Sequence, residues 1–566
     1  MTRSQQRRVW MIVIGLAFFT VVIVGRLIVF QVVQGEEWRL RGQLGQVQNV
    51  VARPERGLIY DRNGSVLAAN GSDYQVGVSP NLVYDAEEMA TALAPILQRP
   101  RYEILGALTA KQPYALLANR VAPEVAEAIL ALDYDGLQVD PLPRRIYPQG
   151  ELMCHVLGYV DYDGHGGAGL EGYYQADLAG EAASASINIS PLTVQESVIA
   201  REGADVTLTI DRSVQYVVEQ HLARALQEYQ AESGTIIVMD PRTGAILAMA
   251  TLPCYEPYLF YEAPTELLLN PLVSQQYEPG SVMKLITMAA ALDSGAVTPQ
   301  TTYNDVGYIE LGGHIMYNWD RSARGVTDMT HLLAYSLNVG AATIASWMGP
   351  EVFYNYLERF GFGRPTGVDL MAEIGGQMSL PGDEVWTEAQ IGTNAFGQGL
   401  AVTPLQMISA ASALANDGYL MEPYLAQEIR QGDEVFTHTP NVVSRPISAD
   451  TAHQVTAMAT IAVRQEVYEA QVENYTVAGK TGTAQIAEGG VYLESATIGS
   501  FIGWLPADAP EMIVLVKLDR PQVSPWGSMT AAPTFAALVD ELVVLLGIPP
   551  DDVRLQADIV AARGNQ

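Results

Sequence analysis

Cysteine is nearly absent from this chain: Cys154 and Cys254 are the two among 566 residues. That count excludes a disulfide scaffold and leaves the pair as buried thiols or one disulfide, without a catalytic part. Histidine is sparse as well. The seven histidines form no H-x-x-x-H or H-E-x-x-H pair, and no cysteine stands at zinc-site spacing, so neither a metal nor a cofactor is expected. Positive charge is also short, with 32 Lys and Arg against 63 Asp and Glu and a formal net charge of −31. This excludes nucleic acid as a partner, because phosphate binding needs a basic surface. Long apolar runs are missing too, except at the N-terminus.

There, MTRSQQRR is followed by residues 9–25 without a charge, then by RLIVFQVV. With residues 27–33 the apolar stretch reaches about 25 residues, about 37 Å as a helix, enough to cross a bilayer. Arg26 can snorkel to the outer interface. Arg3, Arg7 and Arg8 place the N-terminus in the cytoplasm by the positive-inside rule. No small-residue cleavage site follows Val24, which argues against a removed signal peptide. A buried soluble helix is rarely apolar all round. The expectation is a single-pass cell-membrane protein with a cytoplasmic tail at 1–8, an anchor at 9–33 and everything after about residue 36 outside the cytoplasm.

The remaining length is too great for one hydrophobic core. Residues 36–203 mix short strands, turns and helices. RGLIYDRNGSVLAAN reads as a hairpin on an Asn63-Gly64 turn, and AEEMATALAPILQ and APEVAEAILALD read as helices. From residue 204 the character changes. A strand leads into a long amphipathic helix beginning near Asp211. SGTIIVMD and GAILAMAT then form a hairpin across Pro241-Arg242-Thr243-Gly244. Residues 281–425 are helix-rich. YTVAGKTGTAQI, ATIGSFIGWLP and EMIVLVKLD read as strands, and TAAPTFAALVDELVVLLG reads as a helix. Strands at both ends with helices between them predict a mixed α/β domain over 204–549, its sheet mostly antiparallel and flanked by helices. The polar tail, 550–566, is expected to be loose.

Chemistry concentrates in three fragments. In YEPGSVMKLITMAAAL, Pro279-Gly280 breaks the chain and a helix pattern starts at or near Ser281, so Ser281 and Lys284 share a face. A serine hydroxyl needs a base to become a nucleophile. Lys284 can serve if burial and the positive end of the helix dipole keep it neutral. Backbone N–H groups at the same helix start can form an oxyanion hole. Alone, Ser281 reads better as a helix cap. Ser336-Leu337-Asn338 and Lys480-Thr481-Gly482-Thr483 change that reading. Ser-x-x-Lys, Ser-x-Asn and Lys-Thr-Gly in this order are the signature of the serine penicillin-binding and β-lactamase superfamily. Lys480 offers a cation for a substrate carboxylate and can depress Lys284 by like-charge repulsion. Ser336 can relay a proton, Asn338 can hold a substrate amide and Lys284, and Gly482 can admit a substrate backbone against its strand. The alternatives are a solubility lysine on an edge strand for Lys480 and a solvent-facing mid-helix residue for Asn338.

Beyond these fragments the chain resembles class B penicillin-binding proteins over nearly its whole length. Residues 56–64, RGLIYDRNG, look like the family's first pedestal motif. Arg144-Arg145-Ile146-Tyr147-Pro148 and Gly169-Leu170-Glu171 look like the second and third. Asn318-Trp319-Asp320, Phe360-Gly361-Phe362-Gly363, Gly397-Gln398-Gly399-Leu400 and Thr403-Pro404-Leu405-Gln406 match as well, in roles expected to be scaffold packing. The resemblance implies an α+β pedestal (dimerisation-type) domain at 36–203 carrying a transpeptidase domain. It implies attack by Ser281 on the D-Ala-D-Ala carbonyl of a peptidoglycan stem peptide, release of D-Ala, and transfer to an amine of a neighbouring strand. It implies acylation by β-lactam antibiotics, an oxyanion hole from the Ser281 and Thr483 N–H groups, and carboxylate binding by Thr481 and Thr483. A polytopic membrane glycosyltransferase and other division or elongation proteins are the implied partners, with the septal type somewhat favoured. Val282, where Thr is common, and Leu518-Asp519-Arg520-Pro521, where a lysine more often precedes proline, depart from the family pattern. No glycosyltransferase domain fits before residue 200, and no repeat domain follows the catalytic one.

Three rivals remain. A β-lactamase needs an activated water, and no Glu-x-x-Leu-Asn element stands between the second and third motifs. A membrane sensor has only an eight-residue tail to signal with. An inactive divisome scaffold has no reason to keep Ser281, Lys284 and Lys480.

Overall fold

The computed structural model describes residues 3–36, 47–52, 54–188, 200–488 and 491–556. They fall into two compact units. The first comprises Met1–Arg56 and Gly180–Gly203. Its helix, Arg3–Ile28, runs on into a π-helical turn, Val29–Val33. The span Gln6–Val33 is strongly apolar in composition and none of it is buried in protein, consistent with anchoring in a membrane. The strand Val47–Ala52 pairs antiparallel with Ala183–Asn188.

The second unit comprises Gly57–Ala179 and Ala204–Gln566. Its first sheet starts from the expected hairpin: Ile59–Tyr60 returns as Val66–Val78. The buried Asp61 carboxylate organises the turn, accepting the Asn63 and Ser65 N–H groups at 3.0 and 2.7 Å, with Gly64 at φ +84°. Val66–Val78 pairs with both Ala115–Val121 and Leu137–Ile146. Helices Ala86–Leu97, Arg101–Leu108 and Pro123–Leu130 cover it, burying Val76, Met89, Leu93, Ile104 and Ile129. The sheet continues across the chain: Asp205–Leu208 pairs parallel with Ile59–Tyr60 and antiparallel with Ala426–Gln431. Arg145 and Glu171, from two of the pedestal-like motifs, meet in a buried ion pair at 2.6 Å. Arg145 also donates to Asn70 at 2.8 Å.

The second sheet has five strands, all antiparallel, in the order Ala478–Glu488, Val491–Leu505, Met512–Asp519, Ser233–Met239, Ile246–Leu252. Strand side chains alternate between faces, and both faces are covered. Ile513 and Leu515 enter one core, while Met512, Val514, Val516 and Leu518 enter the other. Arg212–Tyr229 and Ala531–Leu545 pack on the second face. Asp211 caps the former by accepting the Ser213 and Val214 N–H groups. Gly527–Leu545 is apolar enough to cross a membrane by composition, yet half of it is buried against the sheet, which accounts for its hydropathy. Lys284–Asp293, Pro404–Ser412 and Ala449–Glu466 lie on the other face, beneath the site.

One alternative is resolved and one expectation changes. Cys154 and Cys254 form a disulfide, with Cα atoms 6.2 Å apart, which resolves the alternative left open. His155 lies beside it, Nδ1 3.1 Å from the Cys154 sulfur, and burial holds its pKa down at about 4. Both sulfurs are taken up by their own bond. The tail is not loose over 551–556. That segment is helical, Asp551 accepts the Thr476 N–H at 2.7 Å, and Arg554 grips both Asp508 oxygens at 2.6 and 2.7 Å. A two-pronged guanidinium–carboxylate contact supplies order that local polarity hides. Residues 557–566 lie outside the described residues.

Candidate active site

Ser281 stands in a 3-10 turn, Gly280–Met283, and the α-helix proper begins at Lys284. In 3-10 geometry, residues three apart eclipse one another, which sets the Lys284 side chain beneath Ser281. Gly280 holds φ +60°, and its N–H donates to Gly397 O at 3.0 Å. The turn is thereby pinned to the Gly397–Leu400 run.

Lys284 is 1% exposed and its Nζ is surrounded by oxygens. It lies 3.0 Å from Ser281 Oγ, 3.1 Å from Ser336 Oγ, 2.6 Å from Ser336 O and 2.7 Å from Asn338 Oδ1. Ser336 holds φ +58°, a costly backbone for a residue with a side chain, and it is this conformation that accompanies its carbonyl's contact with the lysine. Asn338 is the first residue of the helix Asn338–Met348, not a mid-helix residue facing solvent. Burial pushes the Lys284 pKa well below the ordinary lysine value, and the charge of Lys480 pushes it further. A neutral amine at hydrogen-bond distance from a serine hydroxyl is a general base in position.

Lys480 is 2% exposed, so it is no solubility residue, and burial lowers its pKa to about 7. Its Nζ approaches the Thr481 carbonyl and hydroxyl, both at 3.3 Å. Along this strand Thr481 and Thr483 are half-buried and line a cleft, while Gly482 and Ala484 turn into the core. Thr483 Oγ1 accepts the Gly527 N–H at 3.1 Å. Gly482 has a packing reason beside the expected one. An added Cβ would fall on Ser500 Oγ and press on Pro279 O and Val282. The glycine lets the strand close against its neighbour and the Ser281 turn.

The cleft holds about 350 Å3 and is lined by Ser281, Ser336, Asn338, Lys480, Thr481 and Thr483, so the structure gathers all three fragments. Lys284 lies below its floor. The sequence reading missed Trp526, Arg324 and Glu466, which also line it, and placed Trp319 in the scaffold. Trp319 and Trp526 meet edge-to-face with ring centroids 5.5 Å apart, although they are 55% and 43% exposed. An exposed tryptophan in the polar run SPWGSM was the available signal for Trp526.

A serine-lysine pair set under the edge strand of a helix-flanked antiparallel sheet has the geometry that serine acyl transfer requires. Residues 234–540 match the family described as penicillin binding protein transpeptidase domain, and residues 51–208 match the penicillin-binding protein dimerisation domain. The chain belongs to the class B penicillin-binding proteins. It is 33% identical to stage V sporulation protein D of Bacillus subtilis, over 96% of this chain and 86% of that one. It is 29% identical to a peptidoglycan D,D-transpeptidase FtsI homolog of Mesostigma viride, over 93% and 94%. Among solved structures, penicillin-binding protein 3 of Mycobacterium tuberculosis in complex with aztreonam is 27% identical with a TM-score of 0.69, covering 88% of this chain and 98% of that one.

Proposed function

We propose that this protein is a peptidoglycan D,D-transpeptidase that cross-links stem peptides in division through an acyl-enzyme on Ser281. The carrying observation is the 3.0 Å contact between Lys284 Nζ and Ser281 Oγ, with the lysine pKa depressed. Neutral Lys284 takes the Ser281 proton as Oγ attacks the carbonyl of the penultimate D-Ala. The Ser281 and Thr483 N–H groups receive the oxyanion. Lys480, Thr481 and Thr483 hold the terminal carboxylate. The bond to the terminal D-Ala breaks, and its amine takes the proton from Lys284 through the Ser336 hydroxyl. A neutral amine from a neighbouring strand then attacks the ester and returns its proton by the same route, freeing Ser281. Asn338 holds the donor amide and Lys284 together.

The anchor spans the cell membrane once over 9–33, with the tail 1–8 in the cytoplasm and both the pedestal, 36–203, and the transpeptidase domain, 204–549, outside. The partner is a polytopic membrane glycosyltransferase, which supplies the glycan strands. Relatives named for sporulation and as FtsI homologs favour division over elongation.

The test is covalent labelling. Detergent-solubilised protein and Ser281→Ala are incubated with a fluorescent penicillin and the label is followed in time. A lasting label absent from the variant is expected. Rapid loss of label would point to a β-lactamase, and no label on the unaltered protein would point to an inactive scaffold.

A further inference from the structure

The cradle that holds Lys284 is tied by hydrogen bonds to two segments outside the three chemical fragments. One is Tyr317-Asn318-Trp319, and the other is the strand Thr302–Asp305. Asp305 is 1% exposed, and it is the hub. Its carboxylate accepts the Gly307 N–H at 3.1 Å, the Arg324 N–H at 3.1 Å, and both oxygens accept Asn318 Nδ2, at 3.1 and 2.9 Å. A buried carboxylate with this many donors is rigidly held. The Asn318 amide is oriented by it: with Nδ2 committed to Asp305 and to Ser322 O at 3.0 Å, Oδ1 must face the other way.

What Oδ1 meets there is the Val339 N–H, at 3.1 Å. Val339 follows Asn338 in the first turn of its helix, where backbone donors lack helical partners. Leu337, at the N-cap position, supplies no side-chain cap. Asn318 therefore does from a distance what a capping side chain does locally. Two more contacts join the same strips. Asn338 Nδ2 donates to Tyr317 O at 3.1 Å, and Trp319 Nε1 donates to Tyr335 O at 3.3 Å. These bracket Ser336, the residue at φ +58° whose carbonyl accepts from Lys284.

We propose that Asp305 and Asn318 are positioning residues for the general base, setting through Val339 and the Asn338 amide the oxygen cradle that aims Lys284 at Ser281. This rests on the reading of Ser281 and Lys284 given above. It also gives the Asn318-Trp319-Asp320 element a part in the chemistry where packing alone was expected.

The physics gives the role a distinctive readout. Asn338 Oδ1 and Ser336 O accept hydrogen bonds from Lys284 and so favour its charged form. The opposing influences on Lys284 are burial and the Lys480 charge. Loosening the cradle removes acceptors while leaving those two in place. The lysine then loses its proton at lower pH, but points less well at Ser281.

The test uses the full chain in detergent. Acylation by a fluorescent penicillin is followed from pH 5 to 9 for the unaltered protein, Asn318→Ala and Asn318→Ser, with rates normalised to folded protein by thermal melting. Asn318→Ala is expected to slow acylation at least tenfold and to move the acid limb of the profile to lower pH. Asn318→Ser, whose hydroxyl can still accept from a backbone N–H, is expected to fall between the two and keeps the test available if the alanine variant does not fold. Unchanged rates per folded molecule, or a slower rate with the acid limb unmoved, would overturn the proposal. Failure of the unaltered protein to label would instead overturn the reading of Ser281.

Discussion

Lys480 lies buried beside Lys284, and its positive charge pushes the Lys284 pKa down beyond what burial alone achieves. Under the proposed function, these two buried lysines divide the work. One stays neutral enough to accept a proton, and the other, with a pKa of about 7, carries charge for part of the pH range.

This division predicts opposite pH effects. Replacing Lys480 by Gln removes the repelling charge, so the Lys284 pKa should rise and the acid limb of the acylation profile should move to higher pH. In the unaltered protein, Lys480 loses its charge as pH rises through about 7, so affinity for ligands bearing a carboxylate should weaken above that point. Acylation rates against pH, separated into binding and rate constant, check both.

Gly482→Ala should slow acylation by about tenfold or more, because the added methyl falls on Ser500 Oγ and pushes the strand away from the Ser281 turn. Pairing it with Ser500→Ala should restore part of the rate. An unimpaired Gly482→Ala enzyme would show that the strand can shift without cost.

The Arg145–Glu171 pair is almost wholly buried, so removing one partner strands a charge. Arg145→Ala or Glu171→Ala should lower stability by about 3–5 kcal/mol, whereas Arg145→Met combined with Glu171→Leu should recover most of it. Denaturant unfolding of the four proteins gives the comparison.

Reduction of Cys154–Cys254, or Cys154→Ala with Cys254→Ala, should cost about 2–4 kcal/mol of stability, since the bond closes a long loop of the unfolded chain. Acylation per folded molecule should stay the same. A change in rate at constant stability would tie the disulfide to the site.

Elements with a strong local signal were legible in the sequence. The Asn63-Gly64 hairpin, the helix beginning near Asp211, the Pro241–Gly244 turn and the strands of the five-stranded sheet follow from turn chemistry and from periodicity. Features made by partners distant in the chain were not. Arg554 looks like part of a polar tail until Asp508 is beside it. Gly482 shows no packing demand until Ser500 stands against it. Asn318 looks like scaffold until Val339 and Asp305 close on its two ends.

The amino-acid sequence by itself determined the apolar N-terminal span, the mixed α/β class and the order of the three chemical fragments, because each is written in residue type and short spacing. Only the tertiary structure decided that Lys284 is buried, that Lys480 acts on it, and that Ser281, Ser336 and Asn338 surround one nitrogen. Burial and electrostatic coupling depend on distances through space between residues far apart in the chain, and those distances exist only once the sheet and its helices have packed.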